Sequence, residues 1–150
     1  MSQIVLADTS CLILLRKIEQ LHLLHLLFNE IIITQEVANE YRYDLPKWVC
    51  IQSKQKKQYP LESILDRGEA SSIAKAIDIN ADLIIIDELK ARKVAKELGL
   101  KVTGTLGLFI MAKNKKLISS IKPLIEKIKK TNFRISERLV SEALRLANEV

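Results

Sequence analysis

The chain has 150 residues, the size of one ordinary domain, which excludes a two-domain enzyme. Hydrophobic residues at 48% against 28% charged, with four Gly and three Pro, exclude a disordered, collagenous or low-complexity chain. The net charge of +6 is unevenly spread: Met1 to Ser53 carry four Lys/Arg against six Asp/Glu, and Lys90 to Arg134 carry thirteen against two.

Ile4 to Ala7 is an apolar run followed by Asp8-Thr9-Ser10 and CLILL, which predicts a strand, a polar hinge and a helix capped by Thr9 or Ser10. Leu21, Leu24, Leu27 and Phe28 recur at helical spacing and predict a second helix ending near Asn29; Ile31 to Ile33 is a buried strand. Thr34 opens another helix, with Glu36 and Glu40 on one face. Leu45 to Pro60 is a surface connection with a possible short strand at Val49 to Gln52 and a Lys54-Lys56-Lys57 cluster. From Gly68 a helix runs to about Ile79, and the apolar run Leu83 to Ile86 is a strand stopped by Asp87. Glu88 to Leu98 is helical and ends at Gly99, Lys101 to Thr103 is a short strand, and GTLG begins a helix through Ala112. Helices at about 119–130 and 136–148 complete the chain as a C-terminal extension of a single domain.

Strands that alternate with helices and lack period-two patterning indicate an α/β sandwich, with a mostly parallel central sheet covered on both faces. The aromatic share of 5% makes its core aliphatic and leaves few platforms for stacking nucleobases. No apolar stretch approaches the roughly 20 residues needed to cross a bilayer, and no charged segment leads into a long apolar one, so a cytoplasmic protein is expected. Cys11 and Cys50 sit in apolar contexts without CxxC spacing and are expected in the core. His22 and His25 have HxxH spacing on a leucine-rich helix and fit a packing role better than a zinc site.

In parallel α/β sheets ligands sit at the carboxyl ends of the strands, and that rule singles out Asp8 and Asp87. Each has a structural alternative as a helix cap. Glu69, at a helix start, has one as a partner of the helix dipole, and Glu40 one as a solvent-facing residue. If all four converge, their repulsion calls for a cation, and a ligand set made only of oxygen suits Mg²⁺ or Mn²⁺. The basic stretch, with Lys113, Lys115, Lys116, Lys127, Lys129 and Lys130, reads equally as a phosphodiester footprint or as solvated helix faces. GTLG either turns the chain or presents amides to a phosphate.

Asp8 in VLADTSCLI, Glu40 in ITQEVANEY, Glu69 in LDRGEASSIAKA and Asp87 in LIIIDELKARKVAKELGL, followed by VTGTLGLFIMAKNKKLI, resemble the PIN domain. The resemblance runs from Ile4 to about Leu146 and is nearest to the prokaryotic subfamily related to VapC-type toxin ribonucleases. It implies a PIN-like three-layer sandwich and a metal-dependent endoribonuclease. Asp8, Glu40, Glu69 and Asp87 would hold one or two Mg²⁺ or Mn²⁺ ions, Ser10 would be a polar neighbour, and Lys90, Arg92 and Lys93 would steer the RNA backbone. Glu69 stands where many of the toxins carry Asp.

A small antitoxin protein is the partner such a toxin implies. A homodimer is also expected, since the apolar helices around Leu12 to Phe28 exceed what a thin core needs. Two other functions use the same pattern: a non-catalytic PIN-like module binding protein or RNA, and a phospho-acceptor receiver domain. The receiver would need an acidic pair near the N-terminus and a Lys after a late strand, and neither is clear.

Overall fold

The structure, a computed structural model, describes residues 3–52 and 60–150. The Lys54-Lys56-Lys57 cluster lies outside the described residues. Among the described residues five strands form one sheet: β1 (Val5–Ala7), β2 (Ile31–Ile33), β3 (Val49–Ile51), β4 (Leu83–Ile85) and β5 (Val102–Thr103). Their order is β3-β2-β1-β4-β5, and every pairing is parallel. Parallel neighbours need crossovers, and the helices supply them. These are α1 (Thr9–Lys17), α2 (His22–Phe28), α3 (Gln35–Tyr41), α4 (Arg67–Asp78), α5 (Leu89–Glu97), α6 (Thr105–Asn114), α7 (Lys122–Lys129) and α8 (Glu137–Leu146), with a 3₁₀ turn at Pro60–Ser63.

The strands send alternate side chains into two separate cores, which makes the three layers. Val5, Ala7, Ile31, Ile33 and Ile85 pack with Leu12, Leu15, Leu24 and Phe109 on one face; Leu6, Ile84 and Ile86 pack with Leu65, Ile73 and Ala95 on the other. Burial on both faces explains why these strands read as unbroken apolar runs. Chain order reverses between β1 and β4: β2 and β3 lie to one side of β1, β4 and β5 to the other. Ala7 is in register with Ile85, and the Asp8 N–H donates to the Ile85 carbonyl at 3.0 Å. The two central strands therefore end side by side, one leading into Asp8 and the other toward Asp87.

The structure revises several local expectations. The capping position of α1 is Asp8, ahead of both Thr9 and Ser10, and its side chain makes no capping hydrogen bond. The helix expected from about residue 119 begins at Lys122, because Pro123 favours a first turn and Glu149 caps that end from outside. Cys11 is buried, whereas Cys50 is half-buried beside Glu30. His25 stacks on Trp48, ring centroids 5.3 Å apart, and its Nδ1 lies 2.7 Å from the Asn29 carbonyl, a packing role.

On the helices around Leu12 to Phe28, Leu12, Leu14, Leu15, Leu23, Leu24, Leu27 and Phe28 are buried within the chain, and Leu26 is exposed. Those leucines fill the chain's own core. Among the described residues no helix is long and apolar enough to cross a membrane.

Candidate metal centre

Asp8 follows β1 directly and is 2% exposed. Its Oδ1 is buried with no hydrogen-bond partner, as is Thr9 Oγ1 on the next residue. Burial pushes the Asp8 carboxyl up to about 7, the Thr9 amide opposes, and the negative charges of Glu69, Asp66 and Glu40 add to the rise. A helix-capping role, the ordinary reason for an Asp at such a junction, is therefore not what Asp8 performs.

Glu69 reaches the same place from the start of α4. Asp66 accepts from the Glu69 N–H at 2.9 Å, and Glu69 Oε1 accepts from the Asp66 N–H at 3.4 Å, a reciprocal capping box. Glu69 is also buried, which together with the charge of Asp66 lifts its carboxyl to about 7. Glu40, near the end of α3, is exposed, and its carboxylate lies over Gly68: a Cβ on that glycine would stand 2.8 Å from Glu40 Oε1. The α3 and α4 helices are joined below by Thr34 and Ser71, whose hydroxyls are 2.7 Å apart. Asp8 thus feels the charges of Glu69, Asp66 and Glu40.

Asp87 lies one residue past Ile86 on the same rim. Its Oδ1 accepts from the Thr105 N–H at 2.7 Å and its Oδ2 from the Thr105 hydroxyl at 2.6 Å. Burial raises its carboxyl, while the two Thr105 hydrogen bonds and Arg92 oppose. A Cβ on Gly104 would meet Asp87 Oδ1 at 2.8 Å and Arg92 Nη1 at 3.2 Å, so glycine is what lets this carboxylate and this guanidinium approach. The Thr105 amide at the start of α6 is donated to Asp87. Cys11 lies between the two halves of the rim: burial pushes its thiol up, and the charges of Asp87 and Asp8 both add to that.

The cationic residues on α5 differ in placement. Arg92 is half-buried beside Asp87, while Lys90 and Lys93 are exposed. Glu88 accepts from the Ala91 N–H at 3.0 Å and caps α5. Ser10 is exposed, so the hydroxyl buried next to Asp8 is that of Thr9. A cavity of about 560 Å³ borders the rim at Asp87, Arg92 and Thr105 and extends past Phe133 and Arg134 to Leu139 and Leu146 on α8.

Among the described residues, no three His, Cys, Asp or Glu side chains stand close enough together to hold a metal ion as placed. Glu69 is turned to the Asp66 amide and Asp87 to Thr105. The donor set still suits a hard divalent cation: every candidate ligand is oxygen, and one buried carboxylate oxygen has no partner.

Two residues were missed by reading the sequence. Asp66 carried a signal as the first member of an Asp-x-x-Glu capping pair, whereas Thr105 was hidden inside a turn-like GTLG.

The family profile described as a PIN domain matches residues 4–149, nearly the whole chain. The chain belongs to the PIN-domain family, a nuclease-type fold whose members generally act on nucleic acids with divalent metals. No curated protein and no solved structure matches it.

Proposed function

We propose that the protein is a metal-dependent endoribonuclease of the kind related to VapC-type toxins, hydrolysing RNA phosphodiester bonds at the rim formed by Asp8, Glu40, Glu69 and Asp87. The observation that carries this reading is Asp8: a buried carboxylate, free of any capping bond, with one oxygen unpartnered and neighbouring acids raising its affinity for positive charge. Such a group is costly in a folded chain unless a cation completes it. Asp8, Glu40, Glu69 and Asp87 would hold Mg²⁺ or Mn²⁺, which when bound lowers the pKa of water and stabilises charge on the leaving oxygen. Lys90, Arg92 and Lys93 draw the phosphate backbone toward the rim, and no side-chain nucleophile is needed.

The non-catalytic alternative would keep these acids for structural work. Asp87, Glu69 and Asp66 do have such work, but Asp8 Oδ1 has none, and that favours the enzyme. The toxin role and a small antitoxin partner belong to the same reading; a short neighbouring frame encoding a small DNA-binding protein would support them. Digestion of single-stranded RNA by wild type, Asp8→Asn and Asp87→Asn, with Mg²⁺ or Mn²⁺ and with EDTA, tests the activity. Cleavage by wild type alone, abolished by EDTA, is expected. Equal cleavage by the variants would place the activity elsewhere, and no cleavage of any RNA by wild type would favour the binding module.

A further inference from the structure

We propose that Thr105 is the positioning residue of the nuclease site, clamping both oxygens of Asp87 so that this carboxylate meets a divalent cation already oriented; the inference rests on the nuclease reading above. Thr105 is 1% exposed and donates to Asp87 twice, from its backbone N–H to Oδ1 at 2.7 Å and from its hydroxyl to Oδ2 at 2.6 Å. A carboxylate offers about four lone-pair positions, so two bonds, one to each oxygen, fix the plane of the group and leave a site on each oxygen for another ligand. The carboxylate cannot turn about its stem without breaking one bond or both.

Two further features confine it. Gly104 brings the α6 backbone against Asp87 Oδ1 where any side chain would collide, and the Arg92 guanidinium approaches the same point. Gly104 also supplies no side-chain cap for α6, so the carboxylate and the helix start are coupled. Outer residues that orient a ligand in this way commonly alter metal affinity or activity by about 10- to 100-fold when removed. A rival account is that Asp87 merely caps α6, in which case Thr105 affects stability and nothing else.

Thr105→Val removes the hydroxyl, and with it the bond to Asp87 Oδ2 and the contact with the Cys11 thiol, while keeping shape and the backbone N–H; Thr105→Ser keeps the hydroxyl. Mn²⁺ affinity is read by electron paramagnetic resonance titration of the protein without RNA, and kcat and KM are read on a single-stranded RNA at saturating Mn²⁺. Thr105→Val is expected to weaken Mn²⁺ binding about tenfold and lower kcat at least about tenfold, with KM changed less than about twofold, and Thr105→Ser to recover most of both. Thr105→Ala gives the same comparison should the valine variant not fold. Wild-type Mn²⁺ affinity and kcat in a folded hydroxyl-less variant, whatever its melting temperature, would overturn the positioning role and leave the nuclease reading intact. A wild-type chain that neither binds Mn²⁺ nor cleaves RNA would remove the nuclease reading, and the positioning role with it.

Discussion

Asp8 and Gly104 are the two residues whose removal separates chemistry from folding. The carboxyls of Asp8 and Glu69 both rise to about 7 in the folded chain, from ordinary values of 3.8 and 4.5. Between those limits the folded state holds protons that the unfolded state has released, so stability falls as pH rises. The loss begins above about pH 4 and is complete once pH passes 7. The metal-free protein should accordingly melt higher at pH 5 than at pH 8.

Asp8→Asn removes one of these buried charges and should raise the metal-free melting temperature at pH 8 by about 3 °C or more while abolishing cleavage, as scanning calorimetry and RNA digestion would show. A fall in melting temperature would mean that the Asp8 charge supports the fold. Gly104→Ala acts by collision, since its Cβ would stand 2.8 Å from an Asp87 oxygen that Thr105 already holds. Cleavage should drop at least about tenfold, with Mn²⁺ binding weakened in parallel. Unchanged kinetics would show that Asp87 has room to move.

At the level of elements, one side chain clasps the end of the chain to the start of α7. Glu149 accepts from the Ser120 hydroxyl at 2.5 Å, from the Ile121 and Lys122 amides at 2.8 and 3.1 Å, and from Lys113 at 3.0 Å. Burial pushes the Glu149 carboxyl up, but these four bonds together overcome it and hold the group at about 2. Its contribution is full above the ordinary value of 4.5 and is lost as pH falls through about 2. Glu149→Gln should destabilise the chain by roughly 1–3 kcal/mol in urea unfolding at pH 7, with cleavage unchanged at temperatures where it is folded. No change in midpoint would show that the clasp is dispensable.

This clasp was not legible in the sequence, because Glu149 lies 27 to 36 residues from its partners and nothing local marks it. The Thr105–Asp87 clamp was missed for the same reason, since it joins residues 18 apart. Strands and helices were legible where apolar runs and turn residues coincide, as at Ile31 to Ile33, Leu83 to Ile86 and Gly99, whose φ of 88° ends α5. Asp8, Asp87 and Glu69 stood out as candidates because they follow strands or open a helix, whereas Glu40, near the end of α3, was marked only by the family resemblance. Whether each one caps a helix was not, since that depends on a rotamer.

For the whole molecule, the sheet order puts the chain reversal between β1 and β4, and the acidic rim lies over that point. The basic segment from Lys90 to Arg134 is partly accounted for by internal pairing. Lys113 is held by Glu149 and the Ala147 carbonyl, and Lys129 lies 3.7 Å from both Glu126 and Glu137. Lys90 and Lys93 remain exposed on the helix that follows Asp87. Replacing both by Ala should weaken binding of single-stranded RNA and flatten its salt dependence by about one to two units of log–log slope, measured by fluorescence anisotropy from 50 to 200 mM salt. An unchanged slope would direct the RNA along another face.

The central claim is that the rim takes a divalent cation through Asp8, and calorimetric titration of the protein with Mn²⁺ tests it most directly. At pH 8 wild type should bind, releasing protons in proportion to the remaining protonation of Asp8 and Glu69; at pH 5.5 binding should be at least about tenfold weaker, because the cation then competes with protons held up to about 7. Asp8→Asn should bind weakly at either pH. Wild type that takes no Mn²⁺ at pH 8, or Asp8→Asn that binds as tightly as wild type, would contradict the account.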